Sequence, residues 1–147
     1  MKIAGGLVEL PSVPHWPGQT PRPDDTVFAA VRLPETGGLS EDALAKHVGF
    51  SAGFEAFDNG YFWEAHEIWE PIWMMLPPAS RGRHLLQGVI QLSNAALKRV
   101  MGRKGASDRI LSIADTAVAE AFRATEGPVM GIDRAYIATL RRKATAI

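Results

Sequence analysis

Between Phe57 and Trp73 the chain reads FDNGYFWEAHEIWEPIW, and the reading of this run decides the fold. At 100° per residue, Tyr61, Phe62, Ala65, Ile68, Trp69, Ile72, Trp73 and Leu76 share one broad apolar face, which is the period of a helix and not of a strand. Trp63 and Met74 fall on the opposite side, so the helix is expected to be covered on more than one side. Pro77-Pro78 must stop it. Asn59-Gly60 closes the preceding element, since both residues tolerate the left-handed conformation of a helix end. Pro71 lies inside the run and takes away the donor that the Glu67 carbonyl would use, so a bend or a break in the ladder is predicted there.

Working outward, Ser40 followed by Glu41 and Asp42 reads as a helix start, and a first helix is expected from there to about Asp58. Gly49 and Gly53 weaken its propensity and mark close packing. A third helix runs from Ser80 or Arg81 to about Met101, ended by Gly102, with Leu85, Leu86, Val89, Ile90, Leu92, Ala96, Leu97 and Val100 on one side. Arg83, Gln87, Gln91, Asn94 and Lys98 gather on the other side. A fourth spans Ser107 or Asp108 to about Thr125, with a small-residue stripe through Ile110, Ile113, Ala114, Ala117, Val118 and Ala121. Asp133 caps a last helix reaching Lys143, where Tyr136, Ile137 and Leu140 face inward and Arg141, Arg142 and Lys143 complement the carboxyl end. The fold class is all-α: a single-domain irregular bundle of about five helices over residues 40–147.

Before it lies an arm, residues 1–39. Pro11, Pro14, Pro17, Pro21, Pro23 and Pro34 each fix φ and remove a donor, so an extended path is expected, with Gly37-Gly38 as a flexible joint. His15, Trp16, Val27, Phe28 and Val31 supply apolar surface, which favours an arm docked on the bundle.

Composition narrows the function classes. The chain has 147 residues, enough for a core that needs no disulfide or structural metal. Its 16 Lys+Arg balance 16 Asp+Glu, so there is no cationic excess to neutralise phosphates, and nucleic acid is not an expected partner. Cysteine is absent, which removes thiol nucleophiles and thiolate metal sites. No apolar run is long enough to span a bilayer and the first ten residues do not pattern as a signal peptide, so no membrane association is expected and a cytoplasmic location is the default.

Chemistry concentrates in the same helix. Glu64, His66, Glu67 and Glu70 lie within two turns, flanked by Phe62, Trp63 and Trp73, which are expected to line a pocket. His66 and Glu70 are helical neighbours at i, i+4, as are Gln87 and Gln91 on the next helix, whose amides can serve carboxylates without adding charge. Acids set among aromatics need a polar partner or must become neutral, and Arg83 or Arg22 could supply one.

The run Phe57-x-x-Gly60-x-Phe62-Trp63-Glu64-Ala65-His66-Glu67-x-Trp69-Glu70-x-x-Trp73, followed by Arg83-x-Leu85-Leu86-Gln87-Gly88-x-Ile90-Gln91, resembles the small helical proteins of domain-of-unknown-function family 309. The resemblance extends to Gly105-Ala106, to Gly131-Ile132-Asp133 and, loosely, to Pro17-Gly18-x-x-Pro21-Arg22-Pro23. It implies an all-helical fold, singles out Gly60, Glu64, His66, Glu67, Glu70, Gln87 and Gln91, and names no reaction. Arg22 departs from the family pattern, standing where many relatives carry His.

Three readings follow. In the first, the acids, His66, Arg22 or Arg83, Gln87 and Gln91 form a buried polar network that fixes helix register, with a bidentate Arg83–Glu67 or Arg83–Glu70 pair as its signature. In the second, the same groups edge a pocket for a small polar or cationic ligand. In the third, His66 with Glu67 or Glu70 holds a hydrolytic metal, although no second His stands at the zincin spacing. No cofactor is implied. The arm could reach a neighbouring copy, so a homo-oligomer is left open. His15 and His47 read as packing residues, and His84 as a solvated one.

Overall fold

The computed structural model describes residues 1–33 and 38–147. Pro34 and Gly37, to which the arm and its joint were assigned, lie outside the described residues.

Among the described residues six α-helices carry the fold: α1 (Glu41–Ala45), α2 (Val48–Asp58), α3 (Phe62–Met75), α4 (Arg81–Val100), α5 (Lys104–Ala121) and α6 (Arg134–Thr145). The single helix expected from Ser40 to Asp58 is two. His47 stays extended, and its ring Nδ1 accepts from the Gly49 N–H, which caps α2 from inside the sequence of the expected helix. Ser40 caps α1 as its residue type demands, accepting from the Ala43 N–H. Gly60, at φ +83°, supplies the left-handed turn that lets the chain leave α2 and enter α3 within three residues.

Pro71 does not end α3, although it leaves the Glu67 carbonyl without its ladder donor. The proline is exposed and the helix continues through it, because the faces before and after it are both held in the core: Ile68 and Trp69 on one side, Ile72 on the other. The indole N–H of the fully buried Trp69 donates to the Phe50 carbonyl at 3.1 Å and thereby fastens α3 to α2. Met74 is exposed, so the far side of α3 is covered only around Trp63.

Helix α4 is the axis, touching α3, α5 and α6. Ser80 accepts from the Arg83 N–H at its start, and Leu85, Leu86, Val89, Leu92 and Ala96 are sealed inside. The short links on either side of it, residues 76–80 and 101–103, leave room only for antiparallel neighbours.

The expected start of α5 at Ser107 falls inside the helix. Ser107 is fully buried, and its hydroxyl donates across to the Ala95 carbonyl at 2.8 Å, so it ties α5 to α4. The buried stripe is Ser107, Leu111, Ala114, Ala117 and Ala121, and Ile113, placed in the stripe by periodicity, is exposed. The helix also ends four residues before Thr125. Asp133 precedes α6 but its side chain makes no capping bond. Arg141 and Lys143 do more than complement a helix end: Arg141 grips Asp115 of α5 through two bonds of 2.8 and 2.9 Å, and Lys143 reaches Asp58 of α2 at 2.8 Å.

The first 33 residues are not extended throughout. Lys2–Ile3 (β1) pairs antiparallel with Val8–Glu9 (β2) in a small hairpin, and residues 25–31 form a 3-10 helix started by Asp24. Ile3, Val8, Leu10, Phe28 and Val31 are buried in the same core as the helices. Glu55 of α2 holds the hairpin from below, both carboxylate oxygens accepting from the Ala4 N–H at 3.3 Å.

Candidate functional site

The polar residues of α3 separate into two places, because residues two apart on a helix point about 200° away from each other. His66 and Glu70 face α4. Glu64 faces the amino-terminal segment.

On the α4 side, Gln91, Asn94, His66 and Glu70 form a continuous relay. The Asn94 amide donates to Gln91 Oε1 at 3.2 Å, its own Oδ1 accepts from His66 Nδ1 at 2.9 Å, and His66 Nε2 lies 2.6 Å from Glu70 Oε2. Amide and ring orientations here follow from the network as a whole. Both ring nitrogens of His66 are thus engaged, one by the Asn94 amide and one by the Glu70 carboxylate. The relay is not sealed: the His66 side chain is 26% exposed and that of Glu70 47%. It runs along a cleft of about 370 Å³ between α3 and α4, whose remaining walls are Trp73, Ile90 and Gln87.

Arg83 stands beside this cleft and not in it. Its guanidinium stacks on the Trp73 ring, 4.3 Å from the centroid, and donates to the Leu76 carbonyl at 3.0 Å. The expected Arg83–Glu67 or Arg83–Glu70 pair is therefore not made, since the cation is spent on the carboxyl end of its neighbouring helix. Glu67 is half-buried and has no hydrogen bond or ion pair among the described residues. The Trp73 indole N–H is buried with no partner among the described residues.

On the other side of α3, Glu64 is fully buried. Its Oε2 accepts from the His15 N–H at 3.0 Å, and its Oε1 has no partner among the described residues. Burial strips water from this carboxyl and pushes it above the usual carboxylate range, overriding the His15 N–H, the carboxyl's own backbone N–H and the nearby imidazole, which all pull the other way. Trp63 belongs here too. The His15 ring meets its face edge-on at 4.6 Å, Phe28 packs at 6.3 Å, and the Arg22 guanidinium covers it at 5.4 Å. Arg22 pairs with Asp25 at 3.8 Å and with none of the α3 acids. Phe62 lines neither place; it is core, packed against Phe57.

The structure thus joins His66, Glu70 and Gln91, adds Gln87 and Trp73 as walls, and sends Glu64, Trp63 and Arg22 elsewhere. Two participants were not singled out as site residues, although Asn94 was placed on the Gln87–Gln91 stripe. Asn94, the middle of the relay, sits three residues beyond Gln91 on the same stripe, and that spacing was the available signal. His15 had none beyond its buried surroundings. Among the described residues no three His, Asp or Glu side chains gather as a metal ion requires, so His66 and Glu70 stand as a pair. Among the same residues no helix is long and apolar enough to cross a membrane.

Residues 50–110, which include most of α2, all of α3 and α4 and the start of α5, match the family model described as Domain of unknown function (DUF309). The matched stretch spans both motif runs, Phe57–Trp73 and Arg83–Gln91, and less than half of the chain. No curated protein and no solved structure matches it.

Proposed function

We propose that the α3–α4 cleft binds a small polar or cationic molecule. The observation that carries this reading is the relay from Gln91 through Asn94 and His66 to Glu70, laid along an open cleft. Both nitrogens of the imidazole are engaged, so the ring is fixed and holds the Glu70 carboxylate in place before a guest arrives. The Gln87 amide has no partner among the described residues, and Gln91 uses only its oxygen. A guest nitrogen can donate to Glu70, a guest oxygen can accept from the glutamine amides, and Trp73 with Ile90 offers apolar wall. The volume lies at the small end of the range for ligand clefts, which suits a molecule of roughly ten heavy atoms or fewer.

A sealed network that only fixes helix register fits these groups less well, because half of Glu70 faces solvent. The two readings separate by titration. Guanidinium and putrescine, added to isotopically labelled protein, should shift the amide and side-chain resonances of His66, Gln87, Gln91 and Asn94. Glu70→Gln, checked for an unchanged melt, should weaken the response at least about tenfold, the loss of one charge-assisted hydrogen bond. Resonances unmoved by millimolar concentrations of both probes would leave the relay as an internal brace.

A further inference from the structure

Residues 11–23 form a loop anchored at both ends and seated in the middle on a single carboxyl group. On one side the hairpin buries Ile3, Val8 and Leu10; on the other the 3-10 helix buries Phe28 and Val31. The loop is tied to itself as well. Thr20 Oγ1 accepts from the Trp16 N–H at 2.7 Å and donates to the Pro14 carbonyl at 2.8 Å, while His15 Nδ1 lies 3.1 Å from both the Thr20 and Pro21 carbonyls. A segment so braced lifts or settles as a unit. Its polar attachments to the bundle are the His15 N–H on Glu64 and the Tyr61 hydroxyl on the Pro11 carbonyl at 2.6 Å.

We propose that this loop is a proton-controlled latch, seated while Glu64 carries a proton and released as Glu64 ionises. A carboxylate in that seat has one loop N–H for two oxygens, and Oε1 is buried with no partner among the described residues. The charged and titratable groups around it give little relief. From the loop the His15 ring is near but is turned onto Trp63 and the Thr20 and Pro21 carbonyls; Arg22 lies over Trp63 and pairs with Asp25. Tyr61, from the turn before α3, directs its hydroxyl at Pro11 and is itself raised, first by burial and then by Glu64. Lifting the loop admits water to both Glu64 oxygens, which stabilises the anion, so ionisation and release are linked. The sign follows from the raised carboxyl. Seating is at full strength below the ordinary carboxyl value of 4.5 and weakens as pH rises through the higher value of the seated state.

Amide hydrogen exchange of the full chain between pH 4.5 and 8, corrected for the intrinsic base-catalysed rate, tests this. Protection at His15, whose N–H sits on Glu64, should fall as pH rises, while Trp16, bonded to Thr20 inside the loop, and Val8 and Leu10 in the hairpin stay protected. Glu64→Gln should abolish the pH dependence. Equal pH slopes in the wild type and Glu64→Gln would assign the effect to His15 or another group and overturn the proposal, as would flat protection in the wild type. Should Glu64→Gln fail to fold, the δ-carbon resonance of Glu64 in the wild type decides: its midpoint must coincide with the loss of protection, and a separate midpoint refutes the latch.

Discussion

At the scale of single residues, close approach leaves the clearest mark. A β-carbon at Gly53 would overlap the indole of Trp69, the side chain that fastens α3 to α2 through Phe50. Gly53→Ala should therefore cost about 1–3 kcal/mol by overpacking, although alanine is the better helix former. Gly105, near the start of α5, faces open space apart from Arg109, and Gly105→Ala should gain a few tenths to about 1 kcal/mol. Urea denaturation of the two variants reads both signs. The sequence suggested that Gly53 marks tight packing, but which ring fills the gap depends on how α2 and α3 are rotated, which periodicity leaves free. Glu64 shows the same limit. Its place among aromatics announced burial, but its partner is a backbone N–H 49 residues away, and a backbone donor carries no signature in sequence.

At the scale of elements, the sequence located the helices and misjudged their ends. α3 and α4 match expectation to within a residue or two because proline, glycine and serine punctuate them. The split at His47 was hidden, since a histidine that caps with its ring looks like any residue of a helical stripe. Pro71 is the instructive case. The hydrogen bond it removes is lost, as its residue type demands, and the helix still continues because tertiary burial on both sides outweighs one missing bond. Replacing it tests that balance: Pro71 is exposed, so Pro71→Ala removes no core contact and returns a donor to the Glu67 carbonyl. The urea midpoint should rise, by up to about 3 kcal/mol in stability and with an unchanged slope. A lower midpoint would mean that the fixed φ of proline contributes more than the restored bond.

At the scale of the whole molecule, the amino-terminal segment is part of the core. Ile3, Val8 and Leu10 are each all but sealed from solvent, and burying such a side chain contributes on the order of 1.5–3 kcal/mol. Removing residues 1–10 should therefore take several kcal/mol from a fold whose total stability is about 5–15 kcal/mol, and turn a cooperative thermal melt by circular dichroism into a broad one. A melt that keeps its midpoint and sharpness would show the hairpin to be dispensable. The sequence by itself determined the helical class, the positions of the main helices and the run that holds the chemistry, because helical period, caps and breakers act over a few residues. Only the tertiary structure decided that Glu64 and His66, two positions apart, serve opposite faces, one under the loop at His15 and the other toward Asn94. Those pairings span 49 and 28 residues. They depend on how each helix is turned about its axis, a quantity fixed by the packing of the whole core and not by any local stretch.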